Sequence, residues 1–320
     1  MKRKLALVLA ILLMLSVLTA CNGSEAEETF GDNSQTNGTP ANNTPANNTT
    51  ANNQQNQNTP ADDFDTSRTV SVVTREEGSG TRDAVRDLFD IKDADGRENV
   101  TREAIIADST GVMMTNVANN PYAIGYCSLA SLNDTVKAVS IDGIAATVEN
   151  VKSGSYAIQR PFYLATLGEA EGLAKDFIDF ILSKEGQEAT TRRCIPAVDN
   201  APAYSGSRPS GKIVIGGSSS VSPVMEDLIA AYKEINASAE IELQVTDSSN
   251  GMNDTKSGAY DIGMASREVR EAEVADGLVP VFIAIDGIAV IVNSSNPLEA
   301  LTADQVKRIY NGEIEKWSDI

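Results

Sequence analysis

The stretch from residue 70 to residue 89 reads as a strand, a loop rich in glycine and hydroxyl groups, and a helix. The apolar run at 70–73 predicts the strand, and apolar residues at 84, 85, 88 and 89 have the spacing of a helix. In this arrangement the backbone N–H groups and the positive end of the helix dipole point at an anion. A single loop of this kind is equally well explained as an ordinary capped helix after a strand.

The loop itself, Thr-Arg-Glu-Glu-Gly-Ser-Gly-Thr-Arg at 74–82, contains side chains that suit an oxyanion. Arg75 offers a planar fork of donors that matches phosphate or sulfate. Ser79 and Thr81 either cap the helix or donate hydroxyl hydrogen bonds to an anion.

Two further loops repeat the pattern. The predicted strand at 212–215 leads into Gly-Gly-Ser-Ser-Ser-Val at 216–221 and then a helix, and the predicted strand at 241–245 leads into Thr-Asp-Ser-Ser-Asn-Gly at 246–251. Each loop alone is more simply a helix cap. Because ligands of open α/β sheets bind beyond the carboxyl ends of the strands, three such loops together with Arg75 and Arg267 predict an anion site.

Strands alternate with helices along the folded part, which predicts an α/β architecture. A buried strand is expected at 123–129, and shorter strands are expected at 136–139 and 145–148. The long apolar run at 281–293 is interrupted by Asp286 and Gly287, which is typical of a strand that crosses between two lobes.

Composition excludes several functions. The formal charge of −19 argues against a nucleic-acid partner. The chain has no histidine, and Cys21, Cys127 and Cys194 are far apart, so we expect no metal site and no cofactor. The loop at 78–81 lacks the lysine and spacing of a P-loop, and no acidic residues form a catalytic pair. We therefore expect a binding protein and not an enzyme.

The amino-terminal region reads as an export signal followed by a tether. Residues 1–20 begin with three basic residues, continue with an apolar run and end in small residues before Cys21. A transmembrane anchor is the alternative, but the apolar run is short for a bilayer. Residues 33–60 contain no charged side chain and no Val, Ile, Leu or aromatic residue, so 21–68 is predicted to be a disordered linker.

Several motifs resemble those of a known family. They are the segments at 75–82, 123–129, 217–221, 261–267 and 286–293, and the Tyr-Asn-Gly…Trp pattern at 310–317. Together they are similar to the phosphate-binding lipoproteins of ABC importers, and residues 18–21 resemble a lipobox. The resemblance implies a type II periplasmic-binding-protein clamshell that captures inorganic phosphate between two α/β lobes and delivers it to the importer's permease. It also implies an extracytoplasmic location with a lipid anchor to the cell membrane at Cys21.

By this resemblance, the phosphate-binding residues lie in both lobes. Some family members have Asp where this chain has Arg267, so the acceptor for the phosphate proton is expected to be Asp286 or Glu77. Sulfate or another oxyanion is the alternative ligand, and a surface phosphate sensor or adhesin is the alternative role. The implied binding residues are Arg75, Ser79, Gly80, Thr81, Ser219, Ser220, Ser248 and Asp286.

The order of the motifs is inverted relative to the family, since the segment at 69–195 precedes the segment at 211–320. We interpret this order as a circular permutation joined at 197–211, and a fragment of a longer tandem protein is the alternative. Lobe II is predicted at 69–154 with 289–320, and lobe I at 155–288.

Overall fold

The computed structural model of the chain describes residues 64–320. The predicted export signal at 1–20, the lipidation site Cys21 and nearly all of the predicted linker at 21–68 lie outside the described residues. None of the helices in 64–320 combines the length and apolar character that a membrane crossing needs.

Strands and helices alternate through the described residues, as the sequence predicts. The strands are β1 (Ser71–Arg75), β2 (Ile105–Ala107), β3 (Ala123–Ser128), β4 (Val136–Ile141), β5 (Gln159–Leu167), β6 (Ile195–Pro196), β7 (Gly211–Ser218), β8 (Ala239–Thr246), β9 (Ile262–Ala265), β10 (Leu278–Asn293) and β11 (Ala300–Leu301). The helices are α1 (Gly80–Leu88), α2 (Thr110–Ala118), α3 (Val148–Lys152), α4 (Gly172–Ile181), α5 (Lys184–Thr190), α6 (Ser222–Ile235), α7 (Ser248–Ser257), α8 (Glu271–Ala275) and α9 (Ala303–Tyr310).

A mixed sheet connects these elements in the order β2-β1-β3-β10-β5-β9-β7-β8. Strands β2, β1 and β3 are parallel at one end, and β9, β7 and β8 are parallel at the other. Strand β10 joins the two sets, because residues 278–287 pair with β5 and residues 288–292 pair with β3, both antiparallel. The predicted crossing at 281–293 is confirmed by this pairing.

Two hydrophobic cores lie on either side of the crossing. The first takes its buried residues from 70–158 and 288–317, and the second takes them from 162–284 and Ala130. Burial of apolar surface is the main favourable term in folding, so each core stabilises its own side of the sheet. We call the parts around the first and second core lobe II and lobe I. The lobe boundaries expected at 154 and 288 stay predictions.

Both ends of the described chain lie in lobe II. Phe64 packs against the rings of Tyr122 and Trp317, with ring centroids 5.0 and 5.6 Å away. The backbone N–H of Val70 donates to the carbonyl of Glu315 at 2.8 Å. Thr69 pairs with Lys316, so residue 69 lies beside the segment 315–318, as the motif order predicts. Because Phe64 buries its ring here, the folded part begins ahead of position 69.

One predicted strand is wrong. Residues 145–147 are not a strand, and α3 begins directly after them. The side chain of Thr147 accepts a hydrogen bond from the backbone N–H of Asn150 at 3.2 Å, which is the contact of a helix N-cap. The cap overrides the strand preference of the short apolar run. The joint at 197–210 contains no helix or strand, as predicted for a linker.

Candidate anion site between the lobes

Four helices begin at the boundary between the two lobes. Helices α1 and α2 belong to lobe II, and their N-caps are Ser79 and Ser109. Helices α6 and α7 belong to lobe I, and their N-caps are Val221 and Asp247. The first N–H groups of a helix have no acceptor within the helix and give its start a partial positive charge, so the meeting point of four helix starts favours an anion. Side chains cap part of these N–H groups, since Ser79, Ser109 and Asp247 accept from the first turns of α1, α2 and α7.

Four side-chain hydroxyls meet between these helix starts, and we call them the hydroxyl cluster: Thr81 and Thr110 from lobe II, Ser219 and Ser220 from lobe I. Thr81 Oγ1 lies 2.9 Å from Ser220 Oγ, and Thr110 Oγ1 lies 3.0 Å from Ser220 Oγ and 3.1 Å from Ser219 Oγ. All four residues are buried. The cluster therefore spans the boundary between lobes within a single chain.

Arg75 holds one side of the hydroxyl cluster. Its Nη1 donates to Thr110 Oγ1 at 3.0 Å, and its Nη2 donates to Ser219 Oγ at 3.1 Å. The guanidinium also forms two 2.6 Å hydrogen bonds with the carboxylate of Glu76. The hydroxyl of Tyr126 accepts the backbone N–H of Arg75 at 3.0 Å, and burial raises the pKa of that hydroxyl to about 12. Arg75 is thus fixed through both its backbone and its side chain.

Gly80 allows the lobes to approach closely beside the cluster. A Cβ atom at this position would lie 2.7 Å from Ser248 Oγ and 2.8 Å from Ser266 Oγ, which is shorter than any ordinary contact. Ser248 is fully buried, and its Oγ accepts the backbone N–H of Ser266 at 3.1 Å. Ser79 is buried as the N-cap of α1 and accepts from Arg82 N at 3.4 Å. Glycine is required at position 80 because two lobes meet there.

Arg160 holds the other side of the cluster. Its Nη2 donates to Thr81 Oγ1 at 3.0 Å, and its Nη1 lies 3.2 Å from Asp286 Oδ2. Asp286 also accepts from the backbone N–H of Ala130 at 3.1 Å. Burial raises the pKa of the Asp286 carboxyl to about 6, against the attraction of Arg160, and burial lowers the pKa of Arg160. Asp286 is therefore separated from the hydroxyls by Arg160.

The two other groups singled out from the sequence make their contacts outside the cluster. Arg267 donates to the carboxylate of Glu273 at 2.7 and 2.9 Å, so its charge is compensated within lobe I. Glu77 is exposed and lines an outer groove with Arg82 and Asp247. Within residues 64–320, no group of three or more His, Cys, Asp or Glu side chains is placed to hold a metal ion.

The structure thus brings Arg75, Thr81, Ser219 and Ser220 together and places Ser79, Gly80 and Ser248 directly beside them. Sequence reasoning missed Thr110 and Arg160. Thr110 follows β2 in the sequence Asp-Ser-Thr-Gly, which repeats the pattern of a strand, a hydroxyl-rich loop and a helix. Arg160 is a charged residue at the start of a mostly buried strand, and an unexplained buried charge is a signal of a site.

Comparison with known proteins shows the family of the chain. A PBP superfamily domain matches residues 39–185 and 202–319. A Streptococcus agalactiae protein named phosphate-binding protein PstS 2 is 47% identical over 257 residues, covering 79% of this chain and 88% of the relative. The Streptococcus pneumoniae protein of the same name is 39% identical over 258 residues, again covering 79% of this chain and 88% of the relative. The chain belongs to the PstS family.

A solved structure supports the fold. The phosphate-binding protein of a phosphate ABC transporter from Streptococcus pneumoniae superposes with a TM-score of 0.62 at 38% identity, covering 79% of this chain and 99% of that one. The resemblance drawn from the motifs and the two-lobed α/β fold of a periplasmic binding protein are therefore confirmed. PstS proteins bind a solute and are not enzymes, so the chain is a binding protein.

Proposed function

We propose that the chain captures inorganic phosphate at the hydroxyl cluster and delivers it to the permease of an ABC importer. The observation that carries this proposal is the meeting of four hydroxyls, two buried arginines and four helix N-termini between the lobes. The relatives named phosphate-binding protein PstS 2, and the solved protein of a phosphate ABC transporter, support the same function.

The arginines explain why the hydroxyls suit an anion. A guanidinium has donors and no acceptor, so a hydroxyl beside it must accept with its oxygen. Thr81 accepts from Arg160, Thr110 accepts from Arg75, and Ser219 accepts from Arg75 and from the backbone N–H of Thr110. Each of these hydroxyls keeps its own proton to donate. In this structure the hydroxyls of Thr81 and Thr110 lie within hydrogen-bond distance of Ser220. An oxyanion bound between these hydroxyls would accept their protons in place of the neighbouring hydroxyl oxygens.

The residues proposed to contact phosphate follow from the motifs and from their placement. Within residues 64–320 the contacts of Asp286 and Glu77 lie outside the hydroxyl cluster, so an acceptor for the phosphate proton at either position stays a prediction. The proposed contacts are Arg75, Ser79, Gly80, Thr81, Ser219, Ser220 and Ser248, to which the geometry adds Thr110.

Isothermal titration calorimetry tests the ligand directly. The full chain in detergent should bind inorganic phosphate more tightly than sulfate or molybdate, with a stoichiometry of one per chain. A chain that binds sulfate and ignores phosphate would show that the site takes another oxyanion. Growth on limiting phosphate, with and without the gene, then separates transport from a sensing role.

A substrate-binding protein of an ABC importer works outside the cytoplasmic membrane, and we propose that this chain is tethered there through Cys21. The apolar segment before Cys21 and the lipobox-like residues 18–21 support the anchor. Two or more acyl chains give stable anchoring. Replacement of Cys21 by Ala should release the protein from the membrane fraction, and an unchanged distribution would contradict lipidation at this position.

We also propose that the lobes are circularly permuted relative to part of the family. The alignment with the Streptococcus agalactiae relative covers 257 residues, more than either half of this chain, so that relative has the same order. The alignment with PstS of Bacillus subtilis covers 133 residues, or 41% of this chain. Residues 66–70 form backbone hydrogen bonds with residues 315–318, so these two segments lie close enough to be joined by a short connection. A variant with 211–320 placed before 64–195 should fold and bind phosphate.

A further inference from the structure

The strand crossing between the lobes carries a buried ion pair next to the hydroxyl cluster. Arg160, on β5, and Asp286, on β10, are register partners in the antiparallel pairing of these strands. The side chains of Arg160 and Asp286 are 3% and 0% exposed. Removing two charges from water is costly, and a buried pair of this kind often stabilises a fold less than apolar residues would. Stability alone therefore does not explain the pair.

The guanidinium of Arg160 is held from several directions. It lies over the ring of Phe162, with 5.2 Å between Cζ and the ring centroid. The carboxylate of Asp286 lies on one side at 3.2 Å, and Thr81 Oγ1 lies on the other at 3.0 Å. Asp286 is itself anchored by the backbone N–H of Ala130. These contacts place Nη2 of Arg160 against Thr81 Oγ1 and leave Nε and Nη1 without a hydrogen-bond partner among residues 64–320.

We infer that Arg160 is a positioning residue for phosphate, which fixes the hydroxyl of Thr81 as a hydrogen-bond donor to the anion, and that Asp286 holds Arg160 in place. This inference rests on the proposed function. The hydroxyl of Thr81 has one proton, and its oxygen accepts from Arg160 Nη2, which has no acceptor to offer in return. The proton of the Thr81 hydroxyl is then directed away from Arg160 and towards Ser220, on the side where we propose that phosphate binds.

Arg160 thereby mirrors Arg75 across the site. Arg75 orients the hydroxyls of Thr110 and Ser219, and Arg160 orients that of Thr81. Each arginine has a carboxylate partner, Glu76 for one and Asp286 for the other. The anion then meets hydroxyls that are already oriented, which lowers the ordering cost of binding.

The test uses a neutral replacement of the whole ion pair, because removing Arg160 alone would leave a buried, unpaired carboxylate. Arg160→Met/Asp286→Asn should fold with a Tm close to that of the parent and bind inorganic phosphate about tenfold to a hundredfold more weakly by calorimetry. The matched control is Lys175→Met/Asp179→Asn, which removes an exposed ion pair from α4 and should leave phosphate affinity unchanged.

Coupling to Thr81 separates positioning from a merely structural role. In a Thr81→Val background, the same double replacement at 160 and 286 should weaken phosphate affinity by less than about threefold, because the Thr81 hydroxyl that Arg160 positions is already absent. A loss of the same size in both backgrounds would overturn action through Thr81. Parent-like affinity of Arg160→Met/Asp286→Asn would overturn the inference alone, whereas a parent chain that does not bind phosphate would overturn the proposed function as well.

Discussion

Replacement of Arg75 by Ala should weaken phosphate binding strongly. Arg75 is almost fully buried, and its guanidinium donates to Thr110 and Ser219, one hydroxyl from each lobe. The substitution removes both charge-assisted hydrogen bonds and leaves the carboxylate of Glu76 without its 2.6 Å partner, close to an incoming anion. All three changes act against anion binding.

The size of the effect follows from these contacts. Loss of a charge-assisted partner in a desolvated site costs about 2–4 kcal/mol. At 1.4 kcal/mol per factor of ten, that corresponds to about a 30-fold to 700-fold rise in Kd. Lysine at this position should recover only part of the loss, because an ammonium group cannot reach two hydroxyls with the geometry of the guanidinium fork.

Calorimetry with phosphate on the parent and on Arg75→Ala measures the change, and thermal unfolding checks that the variant is folded. Arg97→Ala is the control, because its side chain is 73% exposed and pairs with Asp93 and Asp95, neither of which belongs to the hydroxyl cluster. That variant should change Kd by less than about twofold. If Arg75→Ala binds phosphate as tightly as the parent, the assignment of the hydroxyl cluster as the site is wrong.

Other perturbations test different parts of the site. Gly80→Ala should prevent the lobes from meeting, since its Cβ would lie 2.7 Å from Ser248 Oγ. Phosphate affinity should fall while the helical circular dichroism of the protein is kept. Unchanged affinity would show that the close approach of the lobes is not needed. Asp83→Asn breaks the 2.9 Å contact of Asp83 with Arg270 across the cleft and should raise the phosphate release rate about two- to fivefold in stopped-flow measurements, with little change in association. The pKa of Asp286 is raised from 3.8 to about 6 in the folded chain. Its contribution to the free energy of unfolding is therefore present below about pH 4 and is lost as the pH rises through 6. Denaturant unfolding of Asp286→Asn should lack this loss of stability between about pH 4 and about pH 6. Glu77→Gln with Asp286→Asn should weaken phosphate and favour sulfate relative to it, and unchanged selectivity would count against both as proton acceptors.

Local structure in this chain follows closely from local sequence. The apolar runs and their loops predict β1, β7, β8 and β10, because the periodicity of buried side chains is a property of neighbouring residues. Ser79 is a helix N-cap for the same reason, since the bond that it accepts from Arg82 spans three positions. The strand predicted at 145–148 fails because the cap formed by Thr147 is a stronger local signal than a short apolar run.

The sequence predicts part of the proposed site. The motifs identify Arg75, Thr81, Ser219 and Ser220, and the family resemblance brings residues from both halves of the chain into one site. Thr110 carries the same signal of a hydroxyl-rich loop at a helix start.

Contacts across the lobes were decided by the tertiary structure. Arg160 and Thr81 are 79 positions apart, and Arg75 and Ser219 are 144 positions apart. No periodicity or spacing predicts such pairs, because they depend on how β10 brings the two cores together. The same holds for Asp286, since its sequence context predicts an acceptor near the ligand and only the fold shows that its carboxylate is buried against Arg160. Sequence determined which loops present donors, and packing across the crossing decided which donors face one another.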